Sequence, residues 1–154
     1  MRDLMRTARK NSYSQLGLQE SMVRLMALLL VARRVYETAH WISSGPNSYG
    51  DHLLFERIYE STNKSIDKVG ERLVGQFGPS AHEEVGPFIQ DYMEQTKKLS
   101  VKDSALKIEQ GLHEFLTESI EAARNAEEPG VENMLSDIAD RRDVVRYLLS
   151  RRFT

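Results

Sequence analysis

Four long stretches of the chain carry apolar residues in alternating steps of four and three, and Gly-Pro or Pro-Gly pairs fall between these stretches rather than inside them. That spacing keeps one face of an α-helix apolar, and no segment shows the strict alternation of a half-buried strand. The first stretch runs from about Ser14 to Ile42, with Leu18, Met22, Leu25, Leu29, Ala32, Tyr36 and Ala39 on one face, and Ser43-Ser44-Gly45-Pro46-Asn47 ends it. The second follows a capping-box pattern, Ser48-x-x-Asp51, carries Phe55, Tyr59, Thr62, Ile66, Val69 and Leu73, and stops near Phe77 at Gly78-Pro79. Another capping box, Ser100-x-x-Asp103, opens a third helix along Ala105, Ile108, Leu112, Phe115, Ser119 and Ala123. Glu127-Glu128-Pro129-Gly130 separates it from a fourth, with Pro129 suited to a first turn. That helix carries Val131, Leu135, Ile138, Val145, Leu148 and Leu149 and ends near Arg151-Arg152.

Connection lengths then set the topology. About five residues join the first two helices, and the last two are joined as closely, so each pair is an antiparallel hairpin. Roughly 20 residues separate the hairpins, with a short helix expected over Val85 to Thr96 that Gly86-Pro87 bends or restarts. A helix of ~27 residues is ~40 Å long, a distance that such a segment can cross. The expected fold is all-α: two hairpins and one long crossover, the ferritin-like form of a four-helix bundle. With 154 residues the chain makes one domain, 1–154, in which residues 1–12 are expected to form a flexible tail.

Composition narrows the function. There is no Cys, which removes disulfides, thiolate metal sites and cysteine nucleophiles. The formal charge is −2, against the basic excess of a dedicated nucleic-acid binder. The longest apolar run, Leu25 to Ala32, is far short of the ~20 residues that span a membrane. A soluble, cytoplasmic protein with no membrane partner is expected.

Of the four histidines, His82 lies in the crossover and His113 in mid-helix, where surface or packing roles are simplest. His40 and His52 share their surroundings with carboxylates. On a wheel of 100° per residue with His52 at 0°, Glu56 falls at about 40°, Asp67 at about 60° and Glu71 at about 100°. A solvated polar face with i,i+4 spacing would look similar. Axial distance adds a constraint: His52 and Asp67 are ~22 Å apart along one helix, too far to hold one metal ion or a close pair. If helix two meets its own copy antiparallel across a two-fold axis, His52 of one chain faces Asp67 and Glu71 of the other, giving two equal sites per dimer. His40, beside the tight turn, approaches His52 from within the same chain.

The run His40-Trp41-x-x-x-Gly45, then His52-x-x-x-Glu56, then Ile66-Asp67-Lys68-Val69-Gly70-Glu71-Arg72, resembles the Dps mini-ferritins, the DNA-binding proteins from starved cells. The resemblance implies a ferroxidase centre in which His40 and His52 of one subunit, with Asp67 and Glu71 of its two-fold mate, bind ferrous iron, and Glu56 supports them. It further implies a hollow homo-oligomer of twelve subunits that oxidises Fe(II), with hydrogen peroxide preferred to oxygen, and stores the ferric mineral. Imidazole and carboxylate together suit an iron that changes valence, since hard oxygen donors favour the ferric state. Three positions depart from the family pattern: Ser43, Asp51 and Ser61. Asp51 reads as a helix cap or as an extra carboxylate near the site. Ser61 stands where many members carry a tryptophan, with Trp41 and Tyr59 as substitutes. Glu127, Glu128, Glu132 and Asp137 at the helix three–four corner are candidates for a cation pore, or simply solvate helix ends.

Two other readings compete. A ferritin centre inside one bundle needs Glu-x-x-His on two helices, and only Glu37-x-x-His40 has that spacing. A DNA-compacting shell with little ferroxidase activity would use Arg2, Arg6, Arg9 and Lys10 against one acid, Asp3, with Arg151 and Arg152 at the other end. DNA is not favoured: twelve subunits carry twelve times −2, or −24, which repels phosphate unless tails reach out.

Overall fold

The computed structural model describes the chain in full from Ser14 to Thr154, and α1 before Ser14 as backbone alone. The expected tail, 1–12, with its basic residues, therefore lies outside the residues whose side chains are described. The described helices are α1 (Arg2–Ile42), α2 (Ser48–Phe77), α3 (Ser80–Glu83), α4 (Val85–Thr96), α5 (Val101–Asn125) and α6 (Pro129–Phe153), and no strand occurs among the described residues. The expected all-α bundle, the crossover and its short helix are all present. Pro87 sits in the first turn of α4, where its missing N–H has no helical partner to lose, so it starts that helix rather than bending it.

The central helix is α1, which packs against α2, α5 and α4. Leu18, Met22, Leu25, Leu29, Ala32 and Tyr36 are fully buried, as the periodicity requires, and so is Ala27 on a second face. By length and composition Ser14–Ile42 also passes for a membrane span, but 56% of its apolar window is buried inside the protein, which makes it the bundle's core helix. Gly45 and Gly78, at φ +83° and +87°, end α1's turn and α2 in a backbone region that disfavours any side chain.

Several local expectations are corrected. Ser48 is not a cap. The N-cap of α2 is Asn47, which makes no side-chain cap bond, while its carbonyl accepts from Asp51 N at 2.9 Å. Ser100 does cap α5, accepting from Asp103 N at 3.1 Å and donating its hydroxyl to the Asp103 carboxylate at 2.8 Å. In α2 the deepest positions include Ile58 and Ser65, with Tyr59 and Ile66 only half-buried. In α5 Leu116 rather than Phe115 is buried, and in α6 Leu148 is half-buried beside a fully buried Leu149. Each shift is one residue, the amount by which a helix wedged between two neighbours turns its buried face.

Between α2 and α6 the seam is polar. Three links, Asp51–Arg152, Thr62–Arg142 and Lys68–Asp137, run in opposite sequence directions, so these helices are antiparallel. The middle link belongs to a network that sequence reasoning missed. Arg142 forks onto Glu109, with Nε 3.1 Å from Oε2 and Nη2 in contact with Oε1, and donates from Nη1 to Thr62 Oγ1 at 2.8 Å. Tyr36 donates its hydroxyl to Glu109 Oε1 at 2.5 Å. All four residues are buried.

Burial, reinforced by the Glu109 carboxylate, pushes the Tyr36 phenol well above its ordinary pKa. Burial works against the Arg142 charge, but Glu109 and Tyr36 outweigh it and hold the guanidinium protonated. Because the Tyr36 shift is upward, its contribution to stability is intact below the unfolded value of about 10 and is lost as pH rises beyond it. Tyr36→Phe should therefore lower the urea midpoint clearly at pH 7 and by less at pH 11. An equal deficit at both pH values would show that the folded phenol ionises freely.

Candidate metal centre

The five-residue turn between α1 and α2 brings the end of one helix beside the start of the other, and so His40 beside His52. Their rings stack with centroids 3.8 Å apart and planes 25° from parallel. His40 Nδ1 lies 2.9 Å from the His52 carbonyl oxygen, and His52 Nδ1 lies 3.0 Å from the His40 carbonyl oxygen. A carbonyl only accepts, so both Nδ1 atoms carry a proton, and in the neutral rings both Nε2 atoms keep a lone pair. Reciprocal backbone bonds thus lock two imidazoles into the tautomer that ligates metal through Nε2. Tyr59 packs edge-on against His40 at 5.4 Å, and burial, then the nearby carboxylates Glu56, Glu60 and Glu37, raise its pKa. His40 is 8% exposed, whereas His52 faces solvent.

The carboxylates are less concentrated. Glu56 lies one turn beyond His52 and is half-buried, while Asp67 and Glu71 are exposed on the far half of the same continuous helix. The buried residues of α2 centre at about 265° on the wheel, so Glu71 at about 100° points almost directly away from the bundle, while His52 at 0° lies on its flank. Among the described residues no three His, Asp or Glu side chains converge on one point. The structure brings His40 and His52 together and leaves Asp67 and Glu71 outside their reach within one chain. The surface beside the histidines is apolar: Trp41 is 62% exposed and Tyr49 76%, with Ile42 and Leu53 also open.

Asp51 is not a cap, and its carboxylate is engaged across the α2–α6 seam. Both its oxygens accept from Arg152, with Nη2 at 2.7 Å from Oδ2 and Nε in contact with Oδ1. A charge-assisted fork outcompetes a single cap bond for the same carboxylate. Glu37 is engaged by Arg33 at 3.5 Å, and its neighbour His40 turns to His52, so no ferritin-type pair forms inside the bundle. His113 lies 3.1 Å from the Arg146 guanidinium, a poor place for a cation. At the α5–α6 corner, Glu132 is held by Arg124, Asp137 by Lys68 and Arg141, and Glu128 by Gln15. Glu127 alone of the four has no such partner among these contacts, and it sits at φ +57°.

Two helical hairpins joined by one long crossover define a class, the ferritin-like form of the four-helix bundle. Residues 19–146 match the ferritin-like domain, and the chain belongs to that family. Its fold is that of solved Dps proteins. It superposes on Dps from Thermosynechococcus elongatus with a TM-score of 0.76 at 20% identity, covering 94% of each chain. Dps from Staphylococcus aureus gives 0.75 at 20% identity, over 91% of this chain and 97% of that one. The Vibrio cholerae O1 protein, described as a member of a broad superfamily of ferritin-like diiron-carboxylate proteins, gives 0.76 at 18% identity, over 94% and 92%. No curated protein matches by sequence.

Proposed function

We propose that this is a Dps-type iron-storage and detoxification protein of the cytoplasm. Its substrate is ferrous iron, bound by His40 and His52 of one subunit with Asp67 and Glu71 of the partner subunit, and Glu56 supports them. Two ferrous ions give one electron each to hydrogen peroxide; with two protons its O–O bond breaks and two waters form. The ferric product hydrolyses and is kept inside a hollow dodecamer. One observation carries this reading: two imidazoles, His40 buried and His52 facing solvent, are locked through Nδ1 to backbone carbonyls, and the matching carboxylates lie ~22 Å away along α2. A half-site of that kind is complete only against a second copy, and the exposed Trp41, Ile42, Tyr49 and Leu53 give such a contact its apolar area.

Assembly and stoichiometry test the proposal together. Twelve subunits of 17.7 kDa should sediment as a particle of about 212 kDa. Under anaerobic conditions that particle should oxidise two ferrous ions per peroxide added. A monomer at micromolar concentration, or oxidation no faster than in buffer, would overturn it.

A further inference from the structure

We propose that the Asp51–Arg152 fork is a latch that positions the histidine pair, so that the end of α6, which supplies no ligand, tunes the affinity and ligand field of the metal centre. The inference rests on the reading of His40 and His52 as ligands. The first turn of α2 has no side-chain cap, and backbone bonds from Ser48 N to the Gly45 carbonyl at 3.0 Å and from Asp51 N to the Asn47 carbonyl at 2.9 Å are what hold its start besides Arg152. Asp51 lies in that turn, immediately before His52, and both its oxygens are taken by Arg152 from 101 residues away. A guanidinium fork fixes orientation as well as distance. The pair is partly sheltered, with 17% of the Asp51 side chain and 34% of the Arg152 side chain exposed. Arg152 also lies over the Phe153 ring at 5.3 Å, and Phe153 packs on the core, so the anchor is itself attached. The pair further sets an anion at the start of α2 against a cation at the end of α6, where both helix dipoles favour it.

What the latch holds is the residue on which both rings depend. The His52 carbonyl accepts from His40 Nδ1, and His52 Nδ1 donates to the His40 carbonyl. A rotation of the first turn of α2 therefore moves one ring directly and releases the other from its acceptor. This also accounts for an acidic residue that stands next to a ligand and yet points away from it.

Cobalt(II) alone, titrated into the assembled protein and followed by its visible ligand-field band, tests the latch. Arg152→Gln and Asp51→Asn should each weaken cobalt binding about tenfold, the low end for partners that orient a ligand. Each should also shift the band of the saturated site, and the double variant should be no weaker than either single one. Particle mass and thermal midpoint should stay close to those of the unaltered protein. A fork that serves only folding would lower the midpoint and leave affinity and band unchanged, which would overturn the inference. If one variant assembles poorly, the other carries the same test. Failure of the ligand reading looks different: the unaltered protein would then bind cobalt no better than His40→Ala and His52→Ala variants.

Discussion

Co-expressed at equal levels, subunits carrying His52→Ala and subunits carrying Asp67→Ala should assemble into particles with about a quarter of the unaltered rate of ferrous oxidation, although each variant alone is inert. The number follows from two-fold pairing. Half of the randomly formed dimers are mixed. In a mixed dimer one centre takes His52 from the Asp67→Ala chain and Asp67 from the His52→Ala chain, and is intact, while the other centre carries both lesions. One centre in four thus survives. Homomers of either variant should lose at least about a hundredfold, since even residues that only orient ligands cost 10–100-fold. Initial rates with limiting peroxide, compared among the two homomers and the mixed particle, make the measurement. A mixed particle no faster than the mean of the homomers would place the centre within one chain and remove the reason for dimerisation at α2.

The halves of that centre differ in how far they could be read from sequence. His40 and His52 were legible because only a tight turn separates their helices, so a spacing of twelve translates directly into contact. The arc shared by His52, Glu56, Asp67 and Glu71 was legible because helical geometry is regular. Beyond reach were the reciprocal bonds from Nδ1 to carbonyl, which depend on how the two helix ends face each other. Asp51 was misread for a related reason. Local spacing argued for a cap, but its partner Arg152 arrives through the tertiary fold, and no local pattern announces it.

Helix positions were legible for the same reason as the arc, and the errors fall where a helix touches two neighbours at once. One signal was present and unused. The apolar stripe of α6 jumps from Ile138 to Val145, and Arg142 fills the gap four residues after one and three before the other. On α5, Glu109 follows Ile108 on the inward face. A charged residue of each sign at the same depth of two adjacent helices is the trace that a buried pair leaves in a sequence.

That pair is where single substitutions should destabilise most. Arg142→Met leaves Glu109, a side chain only 4% exposed, without its cation, and breaking a buried pair by removing one partner costs about 3–5 kcal/mol. At roughly 2–4 °C per kcal/mol for a chain of this size, the thermal midpoint should fall by roughly 6–20 °C. Glu109→Leu should cost a similar amount, because it strands the Arg142 charge instead. The two effects should not add. With both charges gone the desolvation cost disappears, and buried pairs replaced by apolar side chains of similar volume are often neutral. The double variant would leave the Tyr36 hydroxyl only the Ala105 carbonyl at 3.5 Å in place of its short bond to Glu109, while Thr62 keeps its own bond to the Ile58 carbonyl at 2.8 Å. Adding Tyr36→Phe removes that weakly paired hydroxyl, so the triple variant should melt within a few degrees of the unaltered protein while each charge deletion alone melts far below it. Thermal scans of the four variants decide the matter. A triple variant as unstable as Arg142→Met would mean that the network stabilises the fold by its own bonds, not merely by balancing one buried charge with another.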